Sequence, residues 1–269
     1  MDKRSIGVFD SGVGGLTVVS KLWQVLPDEK VVYFGDTQHL PYGNKSPGAV
    51  TGYSRRIAKF LISQDVKLIV VACNTASAVA LNVLKKEFKL PIIGVIKPGA
   101  RAAVMSTKNG HIGIIGTRST IASRAYERTL KSEAERAGKK INCFARTCPL
   151  FVPLVEENWW RKPAAFDIAN DYLGSFKNKN IDTLILGCTH YPIMKSVIRK
   201  VIGSKVTLVE SGFSVAAQIK SLLTDANALR RRSGKQCHKF FVSDDPEHFR
   251  TLSRVFLGRP IPSVKEVTL

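Results

Sequence analysis

Several things are scarce in this sequence, and each shortage narrows what the chain can be. No apolar run reaches the length needed to cross a bilayer, so no membrane-spanning helix is expected. Cysteine is sparse and odd in number: Cys73, Cys143, Cys148, Cys188 and Cys237. None forms a Cys-x-x-Cys pair, and no histidine stands at zinc-ligand spacing from a cysteine pair. A disulfide framework and a metal site are therefore not expected, and the thiols should be free in a reducing compartment. The first strand begins almost at once, within Met1–Asp10, which leaves no room for a signal peptide and makes a cytoplasmic protein the expectation. Low-complexity segments are missing as well.

Acidic residues are also short, 21 against 41 basic ones, for a net charge of +20. Such a charge attracts anionic substrates or nucleic acid, or simply solvates a basic surface. The basic residues are spread along the chain, with one dense run from Arg230-Arg231-Arg232 through Lys235, His238 and Lys239. No aromatic residues alternate with it as a stacking platform for single strands requires, so a solvated loop is expected there rather than a nucleic-acid site.

What remains is ordinary globular material. The 269 residues, 44% of them hydrophobic, suffice for one large or two modest domains with real cores. Short apolar strands alternate with helices along the chain. The strands read as Ile6–Phe9, Val31–Phe34, Leu68–Ala72, Leu90–Ile96, His111–Gly116, Ile141–Phe144, Thr183–Gly187 and Val206–Val209, closed by an edge strand at His238–Val242. Helices are expected near Leu16–Leu26, Ser46–Gln64, Ala76–Lys86, Ala100–Met105, Ser123–Ala137, Phe213–Leu223 and Phe249–Phe256. The alternation means an α/β fold with mainly parallel sheets.

The pattern restarts after Lys97-Pro98-Gly99, which reads as a junction. His111-Ile112-Gly113-Ile114-Ile115-Gly116-Thr117 echoes Ser5–Ser11, and Leu184–Thr189 echoes Leu68–Thr75: an apolar strand, a cysteine, then a threonine-bearing turn. A diverged duplication of this kind predicts two similar, pseudo-symmetric domains, residues 1–97 with 212–269 and residues 98–211, facing each other across a cleft. Ligands in open α/β sheets bind at carboxyl strand ends, which brings Cys73 and Cys188 to that cleft.

Local chemistry gives each candidate a reason. Cys73 sits where a strand meets a helix, facing free backbone N–H groups and a positive dipole end that favour the thiolate; Asn74, Thr75 and Ser77 can cap that helix. The plainer alternative is a buried structural cysteine. Asp10-Ser11-Gly12-Val13-Gly14-Gly15 is a glycine-rich turn into a helix, but it lacks a P-loop lysine, and Thr17 takes the place of the third glycine of a dinucleotide fingerprint. Asp36 stands about where a ribose contact would, which keeps dinucleotide binding as a lesser alternative. Tyr42, in the turn Pro41-Tyr42-Gly43, is either a lid over a pocket or surface packing.

A single activated cysteine points to a nucleophile. Two in matching positions suit a different chemistry, a base on each face of a tetrahedral carbon, one removing a proton while the other delivers one. Asp10 ends the strand beside Cys73 and His190 follows Cys188 by two residues, so each can trade a proton with its thiol or tune it. Hydroxyls and amides at Ser11, Asn74, Thr75, Thr117 and Thr189 can hold a carboxylate and an ammonium without a metal.

These residues resemble the glutamate racemase family. The resemblance rests on Asp10-Ser11-Gly12-x-Gly14-Gly15, Pro41-Tyr42-Gly43, Cys73-Asn74-Thr75-Ala76, Pro98-Gly99-Ala100-Arg101, Cys148–Glu156 and Gly187-Cys188-Thr189-His190-Tyr191-Pro192, in order over nearly the whole chain. It implies a cofactor-independent, metal-free interconversion of L- and D-glutamate, supplying D-glutamate for peptidoglycan. It implies that Cys73 takes the α-proton of D-glutamate and Cys188 that of L-glutamate, assisted by Asp10 and His190. Those two, with Ser11, Tyr42, Gly43, Asn74, Thr75 and Thr189, would contact substrate. A cleft glutamate maps to Glu156, with Glu157 leaving the register open. A homodimer is the expected assembly, with no membrane partner. Departures are Asp36-Thr37-Gln38-His39-Leu40 where relatives carry Ala-Arg after the threonine, Lys97 for a usual Glu, Glu210 for a usual Asp, and Asn158-Trp159-Trp160 where a glycine is common. The rival readings are an aspartate racemase of the same superfamily and a basic nucleic-acid-binding or regulatory protein that retains the fold.

Overall fold

The apolar runs become two wholly parallel sheets in the computed structural model, which describes residues 2–230 and 237–269. The first six-stranded sheet uses β1 (Ser5–Asp10), β2 (Val31–Gly35), β3 (Val66–Val71) and β4 (Ile92–Gly94). The second has four strands: β5 (His111–Gly116), β6 (Asn142–Thr147), β7 (Thr183–Gly187) and β8 (Thr207–Val209). The chain then returns to the first sheet with β9 (Lys239–Val242) and β10 (Lys265–Glu266). The orders are β10-β9-β2-β1-β3-β4 and β6-β5-β7-β8. In each half the central strand, β1 or β5, is flanked by partners in the same relative order. β1, β3 and β7 are buried almost end to end, as strands covered by helices on both faces must be, so they show no polar alternation.

Twelve helices cover the sheets among the described residues: α1 (Leu16–Val25), α2 (Pro47–Ser63), α3 (Asn74–Val79), α4 (Leu81–Glu87), α5 (Ile96–Ser106), α6 (Arg118–Ala122), α7 (Ala125–Arg136), α8 (Phe151–Glu156), α9 (Pro163–Leu173), α10 (Lys195–Ile202), α11 (Ser211–Asp225) and α12 (Pro246–Leu257). Leu16, Val19 and Leu22 put one face of α1 into the core, each worth about 1.5–3 kcal/mol relative to exposure. That core runs without a break from Ile6 and Val70 of the first sheet to Ile115 and Leu186 of the second. The chain crosses between the sheets at α5 and at α11. These two helices pack on each other, while α11 also packs on α1 and α5 on α7. Beneath the first sheet, a buried Lys67 ammonium donates to Glu29 Oε1 (2.8 Å) and to the carbonyl of Ala228 (2.9 Å), tying the returning chain to the sheet base.

The elements depart from the sequence expectations at specific places. The helix expected over 76–86 is two helices bent at buried Ala80. The one expected over 123–137 is preceded by α6, which Thr117 caps, and the two part at Arg124, whose backbone is left-handed (φ 52°). Lys97-Pro98-Gly99 forms the first turn of α5, where a proline has no N–H to lose. β9 is not the edge of its sheet, because β10 pairs beyond it. Of the basic run, residues 231–235 lie outside the described residues. Arg230 N donates to Glu29 Oε1 (2.9 Å), so it is anchored at the sheet base. The ring of His238 accepts from Val31 N and lies 4.6 Å from Trp23, with burial pushing it down to about 4, so it carries no charge into a basic patch.

Candidate active site

Because every strand in both sheets is parallel, their carboxyl ends collect at one edge of each, and the two edges meet. β1 delivers Asp10 and Ser11, β3 delivers Cys73, β5 delivers Thr117, and β7 delivers Cys188, Thr189 and His190. A small cavity of about 30 Å³ lies between them, with Cys73 and Cys188 both in its lining. Ser11, Tyr42, Gly43, Asn74, Thr75, Glu156, Thr189 and His190 line it too. Of the expected site residues, Asp10 alone stands behind the lining. It is fully buried and reaches forward through the amide of Gly12 (3.1 Å) and the hydroxyl of Thr189 (3.3 Å), both of which donate to it.

The two thiols sit in unlike surroundings. Cys73 is the N-cap of α3, and its Sγ lies 3.5 Å from Ala76 N and 3.9 Å from Ser11 Oγ. The expectation that this position would favour the thiolate is overturned. Burial, reinforced by the charge of Asp10, outweighs the single N–H of Ala76 and pushes the thiol up to about 12. The expected capping by Asn74, Thr75 and Ser77 also fails, since the sulfur caps the helix. Ser77 instead bridges β3 and Val95, donating to the carbonyl of Val71 (2.8 Å) and accepting from Val95 N (3.2 Å).

Cys188 has an imidazole and a carboxylate in line behind it. His190 Nδ1 lies 3.9 Å from its Sγ, and His190 Nε2 lies 2.8 Å from Glu156 Oε1. Burial acts to lower the pKa of His190, but its hydrogen bonds to Cys188 and Glu156 overcome burial and raise it to about 10. The imidazolium is thus the favoured form near neutrality. Glu157, by contrast, is exposed on the far side of its turn, which places the cleft glutamate at Glu156. Burial raises Asp10 above its ordinary range, against the opposing charge of His190 and its own hydrogen bonds.

The glycine-rich turn serves the protein itself. A Cβ at Gly14 would collide with Thr189 Oγ1 and lie 2.5 Å from His190 Nδ1; one at Gly15 would lie 2.6 Å from Asp10 Cβ. The turn is bare so that the second half can press the loop after β7 against the first, and there is no room over it for a pyrophosphate. Asp36 is equally committed: it accepts from the hydroxyls of Tyr42 (2.5 Å) and Ser243 (2.8 Å) and pairs with His39 (2.8 Å), holding the Pro-Tyr-Gly turn over the cavity. The dinucleotide alternative falls on both counts. Among the described residues no group of three His, Cys, Asp or Glu side chains is placed to hold a metal ion, and no helix is long and apolar enough to cross a membrane.

Three contacts had no signal in the sequence. Thr120 completes a hydroxyl triangle with Thr75 (3.2 Å) and Thr117 (2.9 Å). Tyr33 donates to the carbonyl of Gly12 (2.6 Å), fixing the glycine turn from below. Tyr126, from α7, donates to Asn74 Oδ1 (2.7 Å) across the two halves. None belongs to a motif, and each is recognisable only once distant elements meet.

The class these features define is a doubled parallel α/β protein with a thiol from each half in one shared cavity. Within that class, the chain belongs to the Asp/Glu/hydantoin racemase family, whose model matches residues 14–219. It is 46% identical over 269 residues to the glutamate racemase of Geobacter metallireducens, covering 100% of this chain and 98% of that protein. The crystal structure of glutamate racemase from Francisella tularensis in complex with D-glutamate superposes with a TM-score of 0.91 at 36% identity, over 100% of this chain and 98% of that one. Glutamate racemase isoform RacE1 from Bacillus anthracis gives 0.93 at 38% identity, over 99% and 98%.

Proposed function

We propose that this chain is a glutamate racemase, interconverting L- and D-glutamate by proton transfer at Cα between two thiols and supplying D-glutamate for peptidoglycan. The observation that carries the reading is the pair of cysteines, one from each half, lining the same small cavity. Support comes from the near-full-length identity to glutamate racemases described above.

The reaction runs on the asymmetry around the thiols. The substrate lies with Cα between Cys73 and Cys188. From L-glutamate, the Cys188 thiolate, held by the imidazolium of His190, removes the α-proton, and the Cys73 thiol, kept neutral by burial, delivers its own to the opposite face. D-glutamate reverses the roles, with Asp10 behind Cys73 favouring return of the proton. Donors at Ser11, Asn74, Thr75 and Thr189 hold the carboxylates, and closure of the halves around the substrate excludes water from the carbanionic transition state. The residues required are all the chain's own, and no cofactor takes part in the steps.

The reading includes a cytoplasmic, homodimeric enzyme that opens as two bodies, residues 1–97 with 212–269 against 98–211, at the crossings α5 and α11. Sedimentation of the purified chain tests the dimer.

The function is tested by circular dichroism of L- and D-glutamate, then L- and D-aspartate, with wild type, Cys73→Ala and Cys188→Ala. Rotation should change with glutamate and be lost by at least about a hundredfold in either variant, the usual worth of a positioned acid or base. Unchanged racemisation by both variants sinks the two-thiol mechanism. Aspartate turnover in place of glutamate favours the aspartate rival, and salt-sensitive DNA binding without racemisation favours the nucleic-acid one.

A further inference from the structure

Asn74 follows Cys73 directly and lies in the cavity wall, yet its side chain can face inward in two ways. An amide presents donors from one end and an acceptor from the other, and the two orientations fill nearly the same space. A substrate carboxylate is bound by the NH2 end and repelled by the oxygen. Something has to fix the choice.

The fixing contact comes from the other half of the molecule. Tyr126 stands on α7, fully buried, and its hydroxyl donates to Asn74 Oδ1 at 2.7 Å. Burial raises the phenol well above its ordinary range, which keeps its proton in place. Ser211, the first residue of α11, lies 3.5 Å from the same hydroxyl and supplies a second polar neighbour. Room for this group exists because residue 99 is glycine: a Cβ there would meet Ser211 Oγ at 2.5 Å and stand 3.6 Å from Tyr126 Oη. Among the described residues no hydrogen bond joins Asn74 Nδ2 to a protein acceptor, and the residue lines the cavity, so the amide has donors free for a ligand there.

We propose that Tyr126 is a positioning residue, holding the Asn74 amide with its NH2 toward the cavity and so setting the affinity for the substrate carboxylate. The inference rests on the racemase reading above. It also couples the halves, because the donor on α7 reaches Asn74 only when the second half is seated on the first.

The test is a double-mutant cycle on the full-length chain. Tyr126→Phe keeps the ring and removes the donor, and is expected to raise KM for both enantiomers about tenfold with kcat within threefold, the loss of one buried hydrogen bond's orienting effect. Introduced on top of Asn74→Ala, the same change should move KM by less than twofold, since no amide remains to orient. Asn74→Asp, which keeps the acceptor for Tyr126 and removes the NH2, should raise KM at least tenfold, and it serves as the readout should Tyr126→Phe not fold. Unchanged KM in Tyr126→Phe or in Asn74→Asp, a fall confined to kcat, or a full tenfold effect of Tyr126→Phe in the Asn74→Ala background overturns the proposal. Failure of the wild type to racemise either glutamate enantiomer overturns the function itself, an outcome separate from these.

Discussion

At the scale of single residues, His190 carries most of the electrostatic work, wedged between the Cys188 sulfur and the Glu156 carboxylate. Folding raises it from an ordinary value of 6.5 to about 10, so the native state holds a proton that the unfolded chain releases. The stability this confers is complete below pH 6.5, declines between 6.5 and 10, and is gone above. Cys73 acts with the same sign at higher pH: its thiol ionises at 9 when unfolded and about 12 when folded, so its contribution is present below 9 and lost toward 12. The melting temperature is therefore expected to fall from pH 7 to 10. Glu156→Gln, which removes one of the groups holding the proton on His190, should flatten that fall; melts with equal pH slopes in variant and wild type would show that the ring is not held charged. The Cys73 environment also shows where sequence reasoning overreached. A helix N-terminus is visible in the sequence, but the depth at which it is buried is not, and burial decides the sign of the shift.

Among elements, the junction of the glycine turn with the loop after β7 is tight enough to exclude a side chain at Gly14. Gly14→Ala forces a methyl group into Thr189 and His190, and neither can retreat without disturbing the hydrogen bonds to Asp10 and Glu156. Overpacking of this kind costs about 1–3 kcal/mol. Because the displaced groups flank Cys188, kcat/KM should fall by more than about tenfold, and calorimetry beside steady-state rates separates the two effects. A variant that melts lower while keeping full activity would place the contact outside the catalytic machinery. The two glycines were legible in the sequence as a close-approach signal, although what approaches them was not. A phosphate and a neighbouring loop leave the same mark on the chain, and only the packed structure tells them apart.

Over the whole molecule, closure is the governing property. The cavity between the halves is small, about 30 Å³, so the halves are expected to part to admit an amino acid and to meet again to react. They touch across the cavity rim where the Ser119 hydroxyl donates to the carbonyls of Gly43 (2.9 Å) and Lys45 (3.2 Å). Cysteines introduced together by Lys45→Cys and Ser119→Cys should lock the rim when oxidised. Racemisation is then expected to drop by at least about tenfold and to return on reduction, with wild type under the same oxidant as the control; a locked enzyme of full activity would show that substrate enters without separation of the halves.

The sequence by itself determined the parallel α/β architecture, the repeat of strand, cysteine and threonine-bearing turn in each half, and the placing of Cys73 and Cys188 at strand ends. All of these follow from short-range pattern: apolar runs of strand length, turn chemistry and motif spacing, each fixed by neighbours along the chain. Tertiary structure decided which of Glu156 and Glu157 meets His190, that Asp10 stands behind the cavity wall, that Asp36 holds Tyr42, and that Tyr126 reaches Asn74. Those contacts join residues whose meeting depends on how two sheets settle against each other, and the charge each buried group carries depends on the solvent that this meeting excludes.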